Sequence, residues 1–171
     1  MPNLTCLKLR VCHNLQSLGG LEHCSQLEIL EVSYCDALED MSALSECVNL
    51  KRLVLDTCCS LCDLAVLKNL PQLQTLRVVH CPHISSLEPV RGAISLRRVV
   101  FSGLGGGNEI DIVALDSLHK LESLTLRGLC INHCPTLEKL TFFDATLCRA
   151  ASDDVRLALL KLQKTVRCSV D

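Results

Sequence analysis

The chain has 171 residues, 49% of them hydrophobic, enough to fill the core of one domain. With no Trp, one Tyr and three Phe, it lacks the rings that give an ordinary globular interior of this size its bulk. A formal net charge of −2 argues against an overall, charge-driven attraction to nucleic acid or membranes, and no uninterrupted apolar run approaches the roughly 18 residues of a membrane span.

Met1-Pro2-Asn3-Leu4 leads directly into the first predicted element, without the basic start and apolar run of a signal peptide. That element, Leu4-Thr5-Cys6-Leu7-Lys8-Leu9-Arg10-Val11-Cys12, returns as Leu27 to Cys35, Leu50 to Cys58 and Leu73 to Cys81, each time after 23 residues. Leu7 and Leu9, two apart, share one face of a strand. Past each cysteine the apolar spacing changes to three: Leu15, Leu18, Leu21; Leu38, Met41, Leu44; Leu61, Leu64, Leu67; Ile84, Leu87, Val90. That interval suits 3₁₀ turns, whose residues i and i+3 eclipse; α-helices would mix intervals of three and four. Pro71, Pro82 and Pro89 fit turns. Repetition at this length means stacked coils, with parallel strands on the inner side of a curve and short 3₁₀ pieces outside.

A fifth coil starts on schedule at Leu96, Val99 and Phe101, with Leu104 in place of the cysteine. The stretch Gly103 to Asn108 inserts about two residues, and the expectation is a flexible insertion. It lacks the Gly-Lys-Ser/Thr ending of a phosphate-binding loop. Beyond it two registers fit. One runs Leu121, Leu124, Leu126, Leu129; the other Leu126, Leu129, Ile131, Cys134. The first is adopted because the approach through Ile112, Leu115 and Leu118 is so regular, although it leaves 16 residues before Leu137, Leu140 and Phe142. Seven coils are thus expected in residues 1–150, starting near 4, 27, 50, 73, 96, 121 and 137. Residues 151–171 are expected to form a cap: a helix opening at Ser152-Asp153-Asp154, apolar at Val155, Leu159, Leu160 and Leu162, then a strand through Val166, Cys168 and Val170. No matching cap precedes Leu4, so that edge is expected to be open to self-association.

The phrase L-x-x-L-x-L-x-x-C resembles the leucine-rich repeats, and above all the short type of the protein phosphatase 1 regulatory subunit and the bacterial internalins, L-x-x-L-x-L-x-x-N-x-I-x-x-I-x-x-L. It departs from them by Cys12, Cys35, Cys58 and Cys81 in the Asn position and by one residue added before Leu15, Leu38, Leu61 and Ile84. The cysteine variant is similar to leucine-rich repeat proteins of trypanosomatid parasites. The resemblance implies an α/β solenoid with a right-handed superhelix, and a protein-interaction scaffold without catalysis.

Thirteen cysteines would suggest disulfides in a secreted chain. Here Cys12, Cys35, Cys58 and Cys81 occupy one equivalent position, and Cys24 and Cys47 a second, so they are expected as structural columns of small buried hydrophobes. A reducing cytoplasmic or nuclear setting suits them, and the sequon Asn3-Leu4-Thr5 is discounted on that ground. Two clusters, Cys58-Cys59-Cys62 and Cys130-His133-Cys134, have some metal-ligand spacing, but neither supplies four ligands; core and turn cysteines are the preferred reading, with no metal and no cofactor. His13, His80 and His83 lie beside Cys12 and Cys81, yet adjacency in a turn is not the geometry of a Cys–His nucleophile. No convergent acid, base and nucleophile is found, so no enzyme is expected.

Strand positions facing away from the core carry Lys8, Arg10, Arg52, Arg77, Arg98, Arg127 and Lys139 against Glu31 and Asp56, a net +5. Such positions also tolerate long charged stems for no functional reason. With Tyr34, these cations are the candidate partner-binding residues of the concave face, suited to an acidic protein segment. The alternative, a nucleic-acid module on the same face, is disfavoured by the scarcity of rings for base stacking.

Overall fold

A computed structural model describes residues 3–168. Seven five-residue strands form one parallel sheet: β1 Cys6–Arg10, β2 Ile29–Ser33, β3 Arg52–Asp56, β4 Thr75–Val79, β5 Arg98–Ser102, β7 Ser123–Arg127 and β9 Phe142–Thr146, side by side in chain order. The short strands β6 Glu109–Ile110, β8 Cys130–Ile131 and β10 Arg149–Ala150 make a second parallel sheet, which the spacing does not predict.

Register explains the leucine phrase. Leu7, Leu30, Leu53, Leu76, Val99, Leu124 and Phe143 are direct partners across the large sheet, and so are Leu9, Val32, Leu55, Val78, Phe101, Leu126 and Ala145. Because side chains alternate across a strand, both rows face the core, where all from the second to the sixth coil are fully buried. Each fully buried Leu or Val contributes roughly 1.5–3 kcal/mol relative to exposure. No coil could shield its own rows; stacking does so.

The interval of three has an equally direct cause. The Leu15 N–H donates to the Cys12 carbonyl (3.0 Å), Leu21 to Leu18 (3.2 Å), Cys24 to Leu21 (2.8 Å) and Leu27 to Cys24 (2.9 Å), and the next coil repeats the series. Each bond closes an i to i−3 turn, so residues three apart eclipse and point inward together. The 3₁₀ segments Leu21–His23, Ser42–Glu46, Ala65–Asn69, Glu88–Gly92 and Val113–Ser117 are the visible part of this pattern.

Several expectations need correction. The last strand starts later than the spacing suggested. Ser123 pairs with Phe142 and Leu124 with Phe143, so the seventh coil begins at Leu140 and not near 137. Leu140-x-x-Phe143-x-Ala145-x-x-Cys148 is its phrase, and a sixth coil of 19 residues dispenses with a 3₁₀ segment among the described residues. The glycine stretch is a tight turn and no loose insertion: Gly105 is buried at φ +70°, donates to the Ile84 carbonyl (3.0 Å), and a Cβ there would meet Ile110 at 2.8 Å. Only glycine fits both the angle and the space. Finally, α1 runs Asp153–Cys168, so Val166 and Cys168 are helical instead of forming a strand; Val170 lies outside the described residues.

The Val155 N–H donates to Ser152 Oγ (3.3 Å) at the start of α1, with Asp153 and Asp154 in the first turn, where an anion complements the helix dipole. Val155, Leu159, Leu162 and Val166 form its inward stripe against β9 and β10, at intervals of four, three and four. Leu160, expected on that stripe, is half exposed.

Candidate functional site

Every second strand residue faces away from the core and builds the concave surface. The middle positions read Lys8, Glu31, Val54, Arg77, Val100, Thr125 and Asp144 across the seven strands, and the last positions Arg10, Ser33, Asp56, Val79, Ser102, Arg127 and Thr146. The central strands lay a floor: Val54, Val79 and Thr125 are buried and Val100 is half-buried beneath the longer side chains around them.

The candidate cations divide into two groups. Glu31 holds Lys8 at 2.9 Å and Arg52 at 3.4 Å, and Asp144 holds Arg127 at 2.7 Å. The hydrogen bond from Lys8, then that from Arg52, keeps the Glu31 carboxyl below the usual carboxylate range. For Asp144, burial works upward, but hydrogen bonds from Thr146 and Arg127 outweigh it and its carboxyl is also lowered. By contrast, the guanidinium groups of Arg10, Arg77 and Arg98 have no acidic partner among the described residues. Arg77 stands opposite Val100 and Arg98 opposite Thr75 on the adjacent strands β4 and β5, so these two cations are diagonal neighbours at the middle of the sheet.

Lys139 does not join them. It lies in the turn before β9, and the later register puts Phe142, Asp144 and Thr146 on the concave face with Phe143 buried in the core. Six cations therefore face three anions, Glu31, Asp56 and Asp144, and the net is +3 rather than +5. The phrase ending at Cys148 was the signal for this register; Phe143 and Ala145 in its leucine positions hid it.

The cysteines that recur at the coil period differ in burial. Cys35, Cys58 and Cys81 are fully buried, whereas Cys12 in the first coil is only half covered; Cys148 joins them in the last coil. Each thiol points to the carbonyl two residues back: Cys12 to Arg10 and Cys35 to Ser33 at 3.5 Å, Cys81 to Val79 at 3.4 Å. Burial pushes the Cys35, Cys47 and Cys148 thiols above their ordinary range. Cys58 is raised furthest, by its hydrogen bond with Cys81 and then by burial. The same contact lowers the Cys81 thiol, but Cys81 is fully buried, so the column packs as small hydrophobes with weak donors.

A feature absent from the sequence reading follows each strand. Val11, Tyr34, Thr57, His80, Gly103, Gly128 and Leu147 occupy one equivalent position and all have φ between +52° and +63°. The left-handed turn aims each N–H at the next coil: Val11 to Ser33 (2.9 Å), Tyr34 to Asp56 (2.9 Å), Thr57 to Val79 (2.9 Å), His80 to Ser102 (2.8 Å), Gly103 to Arg127 and Gly128 to Thr146 (3.1 Å each). For a residue with a Cβ this conformation costs roughly 1–2 kcal/mol, and β-branched Val11 and Thr57 are the hardest to accommodate. Tyr34, a candidate anchor, thus sits on the rim of the concave face, half exposed.

Among the described residues no three His, Cys, Asp or Glu side chains converge as metal ligands. His13, His80 and His83 stand in solvent while Cys81 is fully buried; His13 pairs with Asp36 (3.1 Å) and His133 with Asp116 (2.8 Å). An open hollow of about 300 Å³ lies on the outer side between Ser42–Glu46 and Ala65–Asn69, away from the free arginines.

Stacked 23-residue coils, a parallel concave sheet, outer 3₁₀ turns and a terminal helix define a leucine-rich repeat fold. Solved structures share it. The internalin C2 of Listeria monocytogenes is 16% identical with a TM-score of 0.55 over 85% of this chain and 73% of its own. The plant peptide hormone receptor RGFR1, in complex with RGF2, is 15% identical with a TM-score of 0.53 over 84% of this chain but 27% of its own. The chain therefore spans about a quarter of that receptor's length. Comparison with protein-family models finds no match, and comparison with curated proteins finds none either. No helix among the described residues is long and apolar enough to cross a membrane.

Proposed function

We propose that the chain is a non-catalytic protein-interaction module whose concave face docks an acidic segment of a partner protein. The observation that carries this is the pair Arg77 and Arg98, two neighbouring guanidinium groups without a carboxylate partner among the described residues, standing over Val54, Val79 and Val100. A peptide with both carboxylates and apolar side chains satisfies both features, since Arg gives planar, bidentate recognition of a carboxylate and the valine floor rewards apolar contact. Lys8, Arg10, Arg52 and Arg127 supply the surrounding positive field, and steering by charge follows from it. One protein of the same fold, the receptor RGFR1, is in complex with RGF2. A reducing cytoplasmic or nuclear compartment suits thiols that serve as core hydrophobes.

Selection of a random peptide library on the immobilised protein tests the proposal. Enriched peptides should be acidic, and replacing Arg52, Arg77 and Arg98 together by Glu should weaken the best of them at least tenfold. Unchanged affinity removes the concave face as the site. The positive face also keeps a nucleic-acid reading in view: a single-stranded RNA probe would have to bind tightly with a steep salt dependence for that reading to displace this one.

The outer edge of β1 is the proposed place for a second copy, where Leu4, Leu7 and Leu9 are only partly covered. Two-fold pairing there would set Lys8 against Lys8. Any dimer should therefore strengthen with salt in sedimentation velocity, and a dimer that dissociates with salt contradicts this placement.

A further inference from the structure

The left-handed row on the rim is unevenly filled. Gly103 and Gly128 show that the turn and its inter-coil hydrogen bond form without any side chain. Val11 and Tyr34 occupy the same turn at φ +56° and +57°, yet they remain 59% and 50% exposed and bring the core little in return. Strained side chains that are not needed by the backbone and are not covered by the chain are a sign of something outside it. They stand in a row with Thr57 and His80 directly after the ends of the first four strands, beside the free guanidinium of Arg10 and two coils from Arg77. A Cβ at Gly103 would come within 3.1 Å of the His80 ring, so that ring leans over the glycine and closes the row.

We infer that Val11 and Tyr34 form the apolar clamp of the concave site, gripping a hydrophobic side chain of the same acidic segment whose carboxylates meet Arg77 and Arg98. The inference rests on the acidic-segment reading above, because charge complementarity is what commits the occupant. It adds a direction and a spacing. Tyr34 and Arg77 are two coils apart, about 10 Å at the strand separation, and three strand positions apart laterally, about 10 Å more. The diagonal of about 14 Å corresponds to roughly four extended residues. The segment thus crosses the strands obliquely, with an aliphatic or aromatic residue about four positions from an acidic one.

Glycine at these two sites separates binding from folding, since it adopts the left-handed turn without strain. In Val11→Gly/Tyr34→Gly the melting temperature should hold or rise, while affinity for the best acidic peptide from the library falls at least tenfold. Tyr34→Asn, which tolerates the turn but offers no apolar surface, should also lose affinity. Alanine scanning of that peptide should find its apolar hot spot three to five residues from its acidic one. If both rim variants bind like wild type while Arg77→Glu/Arg98→Glu does not bind, the clamp is refuted and the concave-face reading survives. If neither set of changes affects binding, or no acidic peptide is enriched, both readings fall.

Discussion

Cys58 has no solvent exposure, a carbonyl within 3.9 Å at Asp56 and a second at 4.0 Å at Val32. A thiol suits that place because it packs as a hydrophobe and asks for little hydrogen bonding. Cys58→Ser substitutes a hydroxyl that must be satisfied there, and it should lower stability by about 1–3 kcal/mol; Leu53→Ala, which opens a cavity, should cost about 2–5 kcal/mol. Urea unfolding at equilibrium measures both, and a neutral Cys58→Ser would mean that the column is not sealed. That Cys35, Cys58 and Cys81 share one buried position was legible because they recur at the coil period, whereas the half coverage of Cys12, in the same recurring position, was not. The left-handed turn beside them was not. Val11, Tyr34, Thr57 and His80 share no common side-chain chemistry, and three of them are β-branched or aromatic types that ordinarily signal strands, so only the backbone reveals them as one position.

Between strands, the concave surface is held by cross-strand ion pairs as well as by the leucine rows. Glu31 joins β1, β2 and β3 through Lys8 and Arg52, and Asp144 joins β9 to β7 through Arg127. Both carboxyls are lowered in the folded chain. Their contribution is therefore fully present above the unfolded carboxylate range, near pH 4, and is lost as pH falls through the lower folded values. Glu31→Gln should make the protein less sensitive to acid between about pH 5 and pH 2 than wild type; parallel stability curves for the two would contradict this linkage. Element boundaries were readable where the phrase is pure. The first six strands of the large sheet begin where the leucines place them, but β9 does not, because Leu137, Leu140 and Phe142 imitate the phrase three residues early and the true positions are Phe143 and Ala145. The terminal helix was legible from Ser152 and its acidic first turn. Its continuation through Val166 was not, since Val-x-Cys-x-Val alternates like a strand. That helix, α1, packs on β9 and β10.

At the scale of the whole molecule, charge is segregated. The concave face carries +3 on a chain of net −2, which leaves the remaining surface at −5. Such a distribution draws an acidic segment toward the inner curve and away from the outer one, with the strongest effect at low salt. Composition alone, slightly acidic throughout, gives no hint of this; it follows from which residues alternate outward. Within the face, the sequence could list the cations but could not say which are already neutralised. That selection, Lys8, Arg52 and Arg127 engaged and Arg10, Arg77 and Arg98 without an acidic partner among the described residues, depends on Glu31 and on Asp144, a residue that a strand three positions earlier would have left off the face. The most direct test is a charge swap on an acidic library peptide. Arg77→Glu/Arg98→Glu should weaken the original peptide at least tenfold, and the same peptide with its acidic residues replaced by Lys should recover binding to that variant. Equal binding of both peptides to both proteins would contradict recognition by the two arginines.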